Sequence, residues 1–313
     1  MSGHIDGSPR PGAVPGGRPA SPYDVVVVGS VNADLVVHVA RRPAPGETVI
    51  GSELATYPGG KGANQAVAAA RLGARVAILG RIGSDGHGEF LREALRADGV
   101  DLGHLIETPG PSGVALISVD AGGDNSIIVS PGANGLLTED DITAAERLLS
   151  SASVVCLQLE SPLATVVAAA RVASRVVFNL SPPAVVPDEL LEACDPLVVN
   201  QHEAALLLGS HADPVRQARE LLSLGPRSVV LTLGADGVVV ADAGEVTAVP
   251  SPRVEPVDTT GAGDAFTGAL AWRLSQGDHL AAATSFAVRV GAASVRLHGA
   301  QSSYPRVGDL ETL

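Results

Sequence analysis

The 313-residue sequence predicts an α/β fold: a three-layer α/β/α arrangement with a mostly parallel central sheet and a small β-sheet lid. Three observations lead there. Short, continuous apolar runs recur along the chain, the mark of strands buried on both faces. Helix-length stretches separate them. Two further segments keep strand-like alternation with turn signals and hold no helix.

The apolar runs are Val25 to Val28, Arg75 to Leu79, Val154 to Leu159, Val176 to Phe178, Leu197 to Val199 and Val229 to Leu233. Helices are expected over Ala63 to Leu72, Gly88 to Ala97, Glu139 to Leu149, Pro162 to Ala173, Glu203 to Leu208, Pro214 to Leu224 and Ala265 to Leu274. Strands alternating with helices imply a parallel sheet covered on both faces. The exceptions are Leu35 to Tyr57 and Gly113 to Val129, with turn signals at Pro45-Gly46 and Gly122-Gly123. They are assigned to a small extra sheet that acts as a lid; the alternative is an edge extension of the main sheet. Residues 1–22, rich in Gly, Pro and Ser, read as a disordered leader, and residues 23–313 as one domain.

Composition narrows the function. A formal charge of −13 disfavours nucleic acid and anionic membrane surfaces, which need a basic face. No apolar run reaches the roughly 18 residues of a membrane span. Two cysteines, Cys156 and Cys194, stand outside any metal-ligand spacing. They read as reduced core thiols of a cytoplasmic protein.

Polar residues collect where three predicted strands end, Asn32 and Asp34, Glu160 and Asn200, and Gly234 ends a fourth. Ligands of open α/β sheets bind at that edge. Asp258 to Asp264, DTTGAGD, opens a helical run. Glycines before a helix leave amides free to face an anion, so Gly261, Ala262 and Gly263 can cradle a phosphoryl group. Asp264, at the cap or first turn, can take a proton from an attacking hydroxyl; an Asp cap after a glycine turn is the plainer alternative. Gly59 to Asn64, GGKGAN, contains Lys61, the only lysine of the chain. Its compact ammonium is not interchangeable with the arginines used elsewhere. Asn64 can donate to and accept from sugar hydroxyls. GxxxxGK[ST] is absent, because Ala55 takes the first glycine position and Gly62 follows Lys61. Phe266 stands where GxGxxG needs its third glycine, and Leu206 where HExxH needs its second histidine.

Together these residues resemble the ribokinase-like, PfkB-type carbohydrate kinases over roughly Asp24 to Pro305. The motifs are SVNAD (Ser30 to Asp34), PGETV (Pro45 to Val49), GGKGANQAVAAARLGA (Gly59 to Ala74), QLESP (Gln158 to Pro162), NQHEA (Asn200 to Ala204), TLGADG (Thr232 to Gly237), DTTGAGDAF (Asp258 to Phe266) and HGAQSS (His298 to Ser303). The resemblance implies a ribokinase-like fold and roles for matching positions. Asn32, Ala33, Asp34, Gly60, Lys61, Gly62, Ala63 and Asn64 would bind the sugar, with Glu160 beside them. Asp264 would be the base, and Gly261, Ala262 and Gly263 the anion hole. Asn200 and Glu203 would organise Mg2+ and phosphate through water, although N-x-x-E is also a capping box. Thr232, Leu233, Gly234, Ala235, Asp236 and Gly237 would line the nucleotide, as would the region near Val288, where relatives often carry a polar residue. A K+ site would involve Asp258, Thr260, Ser294, Leu297, Gly299 and Ser303. Asn179-Leu180-Ser181-Pro182 departs from the family's Asn-Pro-Ala-Pro.

The activity implied is transfer of the ATP γ-phosphate to the O5 hydroxyl of D-ribose, with Mg2+ as the nucleotide's partner and K+ as activator. A homodimer paired through lid strands is expected. The alternatives are a related kinase acting on a nucleoside, ketohexose or deoxysugar acid, and a non-catalytic sugar or nucleotide sensor.

Overall fold

The computed structural model describes residues 22–243 and 245–312; the expected leader lies almost wholly outside the described residues. The strands, in chain order, are β1 (Val25–Val28), β2 (Asn32–His38), β3 (Ala55–Gly59), β4 (Val76–Gly83), β5 (Asp101–Thr108), β6 (Gly113–Val119) and β7 (Asn125–Ser130). They continue with β8 (Val154–Leu157), β9 (Val176–Asn179), β10 (Cys194–Asn200), β11 (Ser228–Thr232), β12 (Val238–Asp242) and β13 (Glu245–Val249). Among the described residues, nine strands form one sheet in the order β13-β12-β11-β10-β9-β8-β1-β4-β5. It is parallel from β5 to β11 and antiparallel over β11-β12-β13.

Alternation within β1 explains the three layers. Val25 and Val27 face one apolar core, Val26 and Val28 the other, and all four are fully buried. Helices Lys61–Arg71, Gly86–Ala97, Ala262–Ser275 and Leu280–Ser294 pack on the first face. Glu139–Ala144, Glu146–Ser151, Leu163–Val172, Asp188–Ala193, Gln201–Leu208 and Pro214–Leu222 cover the second. Burial on both faces is why β1 reads as an unbroken valine run.

β1 pairs with β4 on one side and β8 on the other, so the connections leave it in opposite directions. Such a switch point opens a crevice beyond the strand's carboxyl end, and Gly29 to Asn32 follow β1 there.

A separate four-stranded sheet, β3-β2-β6-β7, projects from this edge. The expected lid is therefore its own sheet, and it begins earlier than expected: Asn32 is already paired with Gly59 and Gly113, and Asp34 with Tyr57 and Ala115. Three expected sugar residues, Asn32, Ala33 and Asp34, thus ride on the lid rather than on the loop before it. Other differences are local. The helix expected over Glu139 to Leu149 is two helices, because Ala145 leaves helical geometry (φ −98°, ψ 10°). β5, the β12-β13 hairpin, and the helices Asp188–Ala193 and Leu280–Ser294 were not anticipated.

Candidate active site

The helix Ala262–Ser275 begins at Gly261, whose left-handed backbone (φ 72°) turns the chain into the first helical amides. Ala262 N–H already donates to Thr259 O (3.2 Å). Gly263 is exposed, and a Cβ there would meet nothing within 4 Å. Asp264 is the third helical residue and not the cap, and it is 7% exposed.

The helix Lys61–Arg71 crosses Ala262–Ser275 closely. A Cβ on Gly268 would lie 2.5 Å from Gln65 O and 2.9 Å from Ala68 Cβ. That approach brings two side chains of the first helix onto Asp264. Asn64 Nδ2 donates to Asp264 Oδ2 (3.0 Å), and Gln65 Nε2 to Oδ1 (3.1 Å). Gln301 Nε2 in turn donates to Asn64 Oδ1 (3.0 Å).

Glu160 joins the Ser30–Asp34 segment to the glycine-rich Gly59–Asn64 segment. Its Oε2 accepts from Ser30 Oγ (2.5 Å), Lys61 N (3.1 Å) and Asn32 Nδ2 (3.5 Å). Asn134 fixes Asn32 by donating to its Oδ1 (2.7 Å), and its own Oδ1 accepts from Val31 N (2.9 Å).

The electrostatics centre on Lys61. Burial alone would lower its pKa, but the carboxylates of Asp264, Glu160, Glu203 and Asp34 outweigh burial and hold the ammonium above its ordinary value. Burial, then Glu160 and Asp264, push Asp34 up to about 7 against the pull of Lys61. Burial also raises Asp264, opposed by Lys61 and by the amides of Asn64 and Gln65. Two carboxyls with raised proton affinity thus stand beside a partly buried ammonium, a pattern common at sites of proton transfer.

Beyond Gly263 lies a cavity of about 330 Å³. Thr232, Gly234, Ala235, Gly237, Gly263 and Val288 line it, together with Pro252, Val254, Phe266, Gly291 and others. Leu233 and Asp236 belong to the turn that shapes its wall, where Leu233 N–H donates to Gly237 O (2.8 Å) and Asp236 N–H to Leu233 O (3.2 Å). The 251–256 segment gave no sequence signal, being an irregular Pro-rich stretch.

Asn200 and Glu203 form a full capping box: each side chain accepts from the other's backbone amide at 2.8 Å. Burial raises Glu203, against Asn200 N–H, Ser181 and Lys61. With Oε2 engaged by that cap, Glu203 suits contact with Mg2+ through water rather than a direct cage, and Mg2+ is commonly held chiefly by phosphates. Among the described residues no group of three or more His, Cys, Asp or Glu is assembled for a metal. Of the expected K+ positions, Asp258, Thr260 and Gly299 are joined by hydrogen bonds. Asp258 accepts from Thr260 N (2.9 Å) and Gly299 N (2.8 Å). The hydroxyls of Ser294 and Ser303 donate to Gly291 O (2.9 Å) and Ala300 O (2.8 Å), which leaves their oxygens as acceptors. One carboxylate with hydroxyls and carbonyls is an all-oxygen set fitting a hard cation of low charge. Tyr304, unanticipated in sequence, closes this loop by donating from Oη to Gly261 O (3.0 Å).

Comparison with known proteins identifies the family. A model of the pfkB family of carbohydrate kinases matches residues 23–307. The chain is 39% identical to the ribokinase of Bacillus subtilis (strain 168) over 300 residues, spanning 93% of this chain and 99% of the relative. A ribokinase structure from Thermotoga maritima superposes with a TM-score of 0.87 at 35% identity, covering 92% of this chain and 98% of that one. An Arabidopsis thaliana ribokinase complexed with ribose and ATP gives a TM-score of 0.84 at 32% identity, covering 94% and 98% respectively.

Proposed function

The chain belongs to the pfkB family of carbohydrate kinases, and from that membership we propose that it transfers the ATP γ-phosphate to the O5 hydroxyl of D-ribose, giving ribose 5-phosphate and ADP. The observation that carries the reading is Asp264: a buried carboxylate gripped by Asn64 and Gln65, beside Lys61, at a helix N-terminus that opens on the cavity.

Ribose lies between β2 and the first turn of helix Lys61–Arg71. Asp34, Asn32 and Asn64 take its hydroxyls, with Ala33, Gly60, Gly62 and Ala63 supplying backbone and close approach. Lys61 and Glu160 hold these two segments in register. The nucleotide occupies the cavity, with its base near Val288 and its phosphates toward Gly263. Asp264 accepts the O5 proton as the oxygen attacks in line, and the first amides of helix Ala262–Ser275 face the charge on the transferring group. Phosphoryl transfer needs little covalent help from protein, so positioning and charge neutralisation supply most of the rate.

Mg2+, carried by ATP and held through water by Glu203 at the Asn200 turn, would neutralise phosphate charge. K+ would be held by Asp258, Thr260, Ser294, Leu297, Gly299 and Ser303, and its charge would order the loop behind the anion hole. Asn32 and Asp34 ride on the lid, so sugar binding and lid closure are linked, and closure excludes water as a competing acceptor.

The same lid supports a homodimer. β7 is exposed along its whole length and forms an open sheet edge. Leu116 and Ile128, cross-strand partners on β6 and β7, are exposed on one face of the lid, and Ile127 and Val129 on the other. A cytoplasmic location suits the need for ATP and the two buried free thiols, Cys156 and Cys194. Among the described residues no helix is long and apolar enough to cross a membrane.

The test is ADP production from Mg-ATP with ribose, deoxyribose, fructose, adenosine and gluconate derivatives, with and without potassium. Turnover on ribose, raised by potassium, supports the reading. Turnover on another sugar contradicts the roles of Asn32, Asp34 and Asn64.

A further inference from the structure

Gln65 follows Asn64 in the glycine-rich motif, and its amide reaches Asp264, Asn179 and Gln158. It is fully buried and every polar atom of its amide is used. Nε2 donates to Asp264 Oδ1 (3.1 Å) and to Asn179 Oδ1 (3.3 Å), while Oε1 accepts from Gln158 Nε2 (2.6 Å). Asn179 Nδ2 donates to Val198 O (3.4 Å), so its oxygen is the end left facing Gln65. Gln158 and Asn179 stand at the ends of β8 and β9.

Only one orientation satisfies this chain. An ionised Asp264 can only accept, so Gln65 must present its NH2. Its carbonyl must then accept, and Gln158 must present its own NH2. Turning Gln158 over would set two carbonyl oxygens against each other. The structure carries a cost for this order: Gln158 Oε1 is buried without a hydrogen-bond partner. An orphan acceptor one residue removed from the base is explained if the direction of the chain matters.

We propose that Gln65 is a positioning residue for the phosphoryl transfer: its amide, oriented by Gln158 and Asn179 on the sheet, holds Oδ1 of Asp264 so that the carboxylate stays ionised and fixed in plane toward the sugar hydroxyl. This rests on Asp264 being the base. Asn64 holds the other oxygen, and each carboxylate oxygen keeps a second lone pair. The charged and titratable groups around Asp264 are Lys61, Glu160, Asp34 and Tyr304; none of them contributes an oriented N–H to Oδ1 among the described hydrogen bonds.

Gln65→Met keeps the length and removes the donor. Loss of an N–H to the carboxylate raises its proton affinity, so the acid limb of the kcat–pH profile moves to higher pH. The expected result is that shift, with kcat reduced on the order of 10- to 100-fold and nucleotide affinity unchanged. Gln158→Met leaves Gln65 in place but frees its amide, and gives the same shift with a smaller loss; it carries the test if Gln65→Met does not fold. Either variant losing rate with an unmoved limb, or keeping the wild-type rate and limb, overturns the proposal. Asp264→Asn is run alongside. If that variant turns over ribose normally, the base assignment fails and the proposal with it. If it is inactive while the glutamine variants behave as wild type, only the positioning role fails.

Discussion

Asn64 Nδ2 lies 3.0 Å from Asp264 Oδ2, a bond between residues 200 positions apart. Asn64 also accepts from Gln301, so one amide joins the first helix, the base and the C-terminal loop. Asn64→Leu leaves the Gln301 donor unsatisfied in a buried site, at a cost of about 1–3 kcal/mol. The predicted outcome is a lower melting temperature together with a fall in kcat/KM for ribose on the order of 100-fold. A variant that melts and turns over as the wild type contradicts the linkage.

Asp34 sets a pH dependence. Its carboxyl is held up to about 7, above an ordinary 3.8, by burial and by Glu160 and Asp264. A raised pKa means that the folded, unliganded protein binds a proton the unfolded chain releases. That contribution is present in full below the unfolded pKa and is lost as pH rises through about 7. Sugar binding runs the other way, since an ionised carboxylate accepts hydroxyl bonds that a protonated one accepts less well. KM for ribose should therefore fall as pH rises through this range, and Asp34→Asn should raise KM and flatten its pH dependence. A wild-type KM that does not change between pH 6 and 8 contradicts the assignment.

Much of this was legible in sequence, and the limits have physical reasons. β1 could be read to the residue because a strand buried on both faces is apolar throughout. β5 was missed because it is an edge strand with Gly103 and His104 in its middle and an irregular burial pattern. The helix Leu280–Ser294 is buried around most of its circumference, so it carries no polar stripe. At the site, Lys61, Asn64 and Asp264 lie in local motifs that announce themselves. Gln65, Gln158, Gln301 and Asn134 act through partners 93 to 237 positions away, and no local pattern encodes such pairs. Three of them sat unassigned inside motifs whose neighbours had roles.

Arg71 closes the C-terminal end of helix Lys61–Arg71. Its guanidinium pairs with Asp98 (2.7 and 2.8 Å) and donates to the carbonyls of Gln301 and Tyr304, with Arg71 16% and Asp98 11% exposed. Arg71→Met should destabilise the protein by about 2 kcal/mol or more, because Asp98 loses its closest partner and two carbonyls lose theirs. Chemical denaturation measures it. An unchanged midpoint shows that the C-terminal loop is not pinned there.

The lid should pair two copies. Ile128 on β7 is 68% exposed beside its exposed cross-strand partner Leu116. Ile128→Lys is predicted to shift sedimentation from dimer toward monomer and to raise KM for ribose, because Asn32 and Asp34 ride on the lid's inner strand. A wild-type chain that sediments as a monomer at all concentrations contradicts the lid dimer.

The most direct test of the account is single-turnover phosphorylation of ribose by Asp264→Asn, with ATP binding measured on the same sample. Asn keeps the size of the side chain but cannot take the proton. The account predicts ATP affinity within about twofold of wild type and a rate lower by on the order of 10³-fold or more. A rate within tenfold of wild type would show that another group accepts the O5 proton and would contradict the mechanism at its centre.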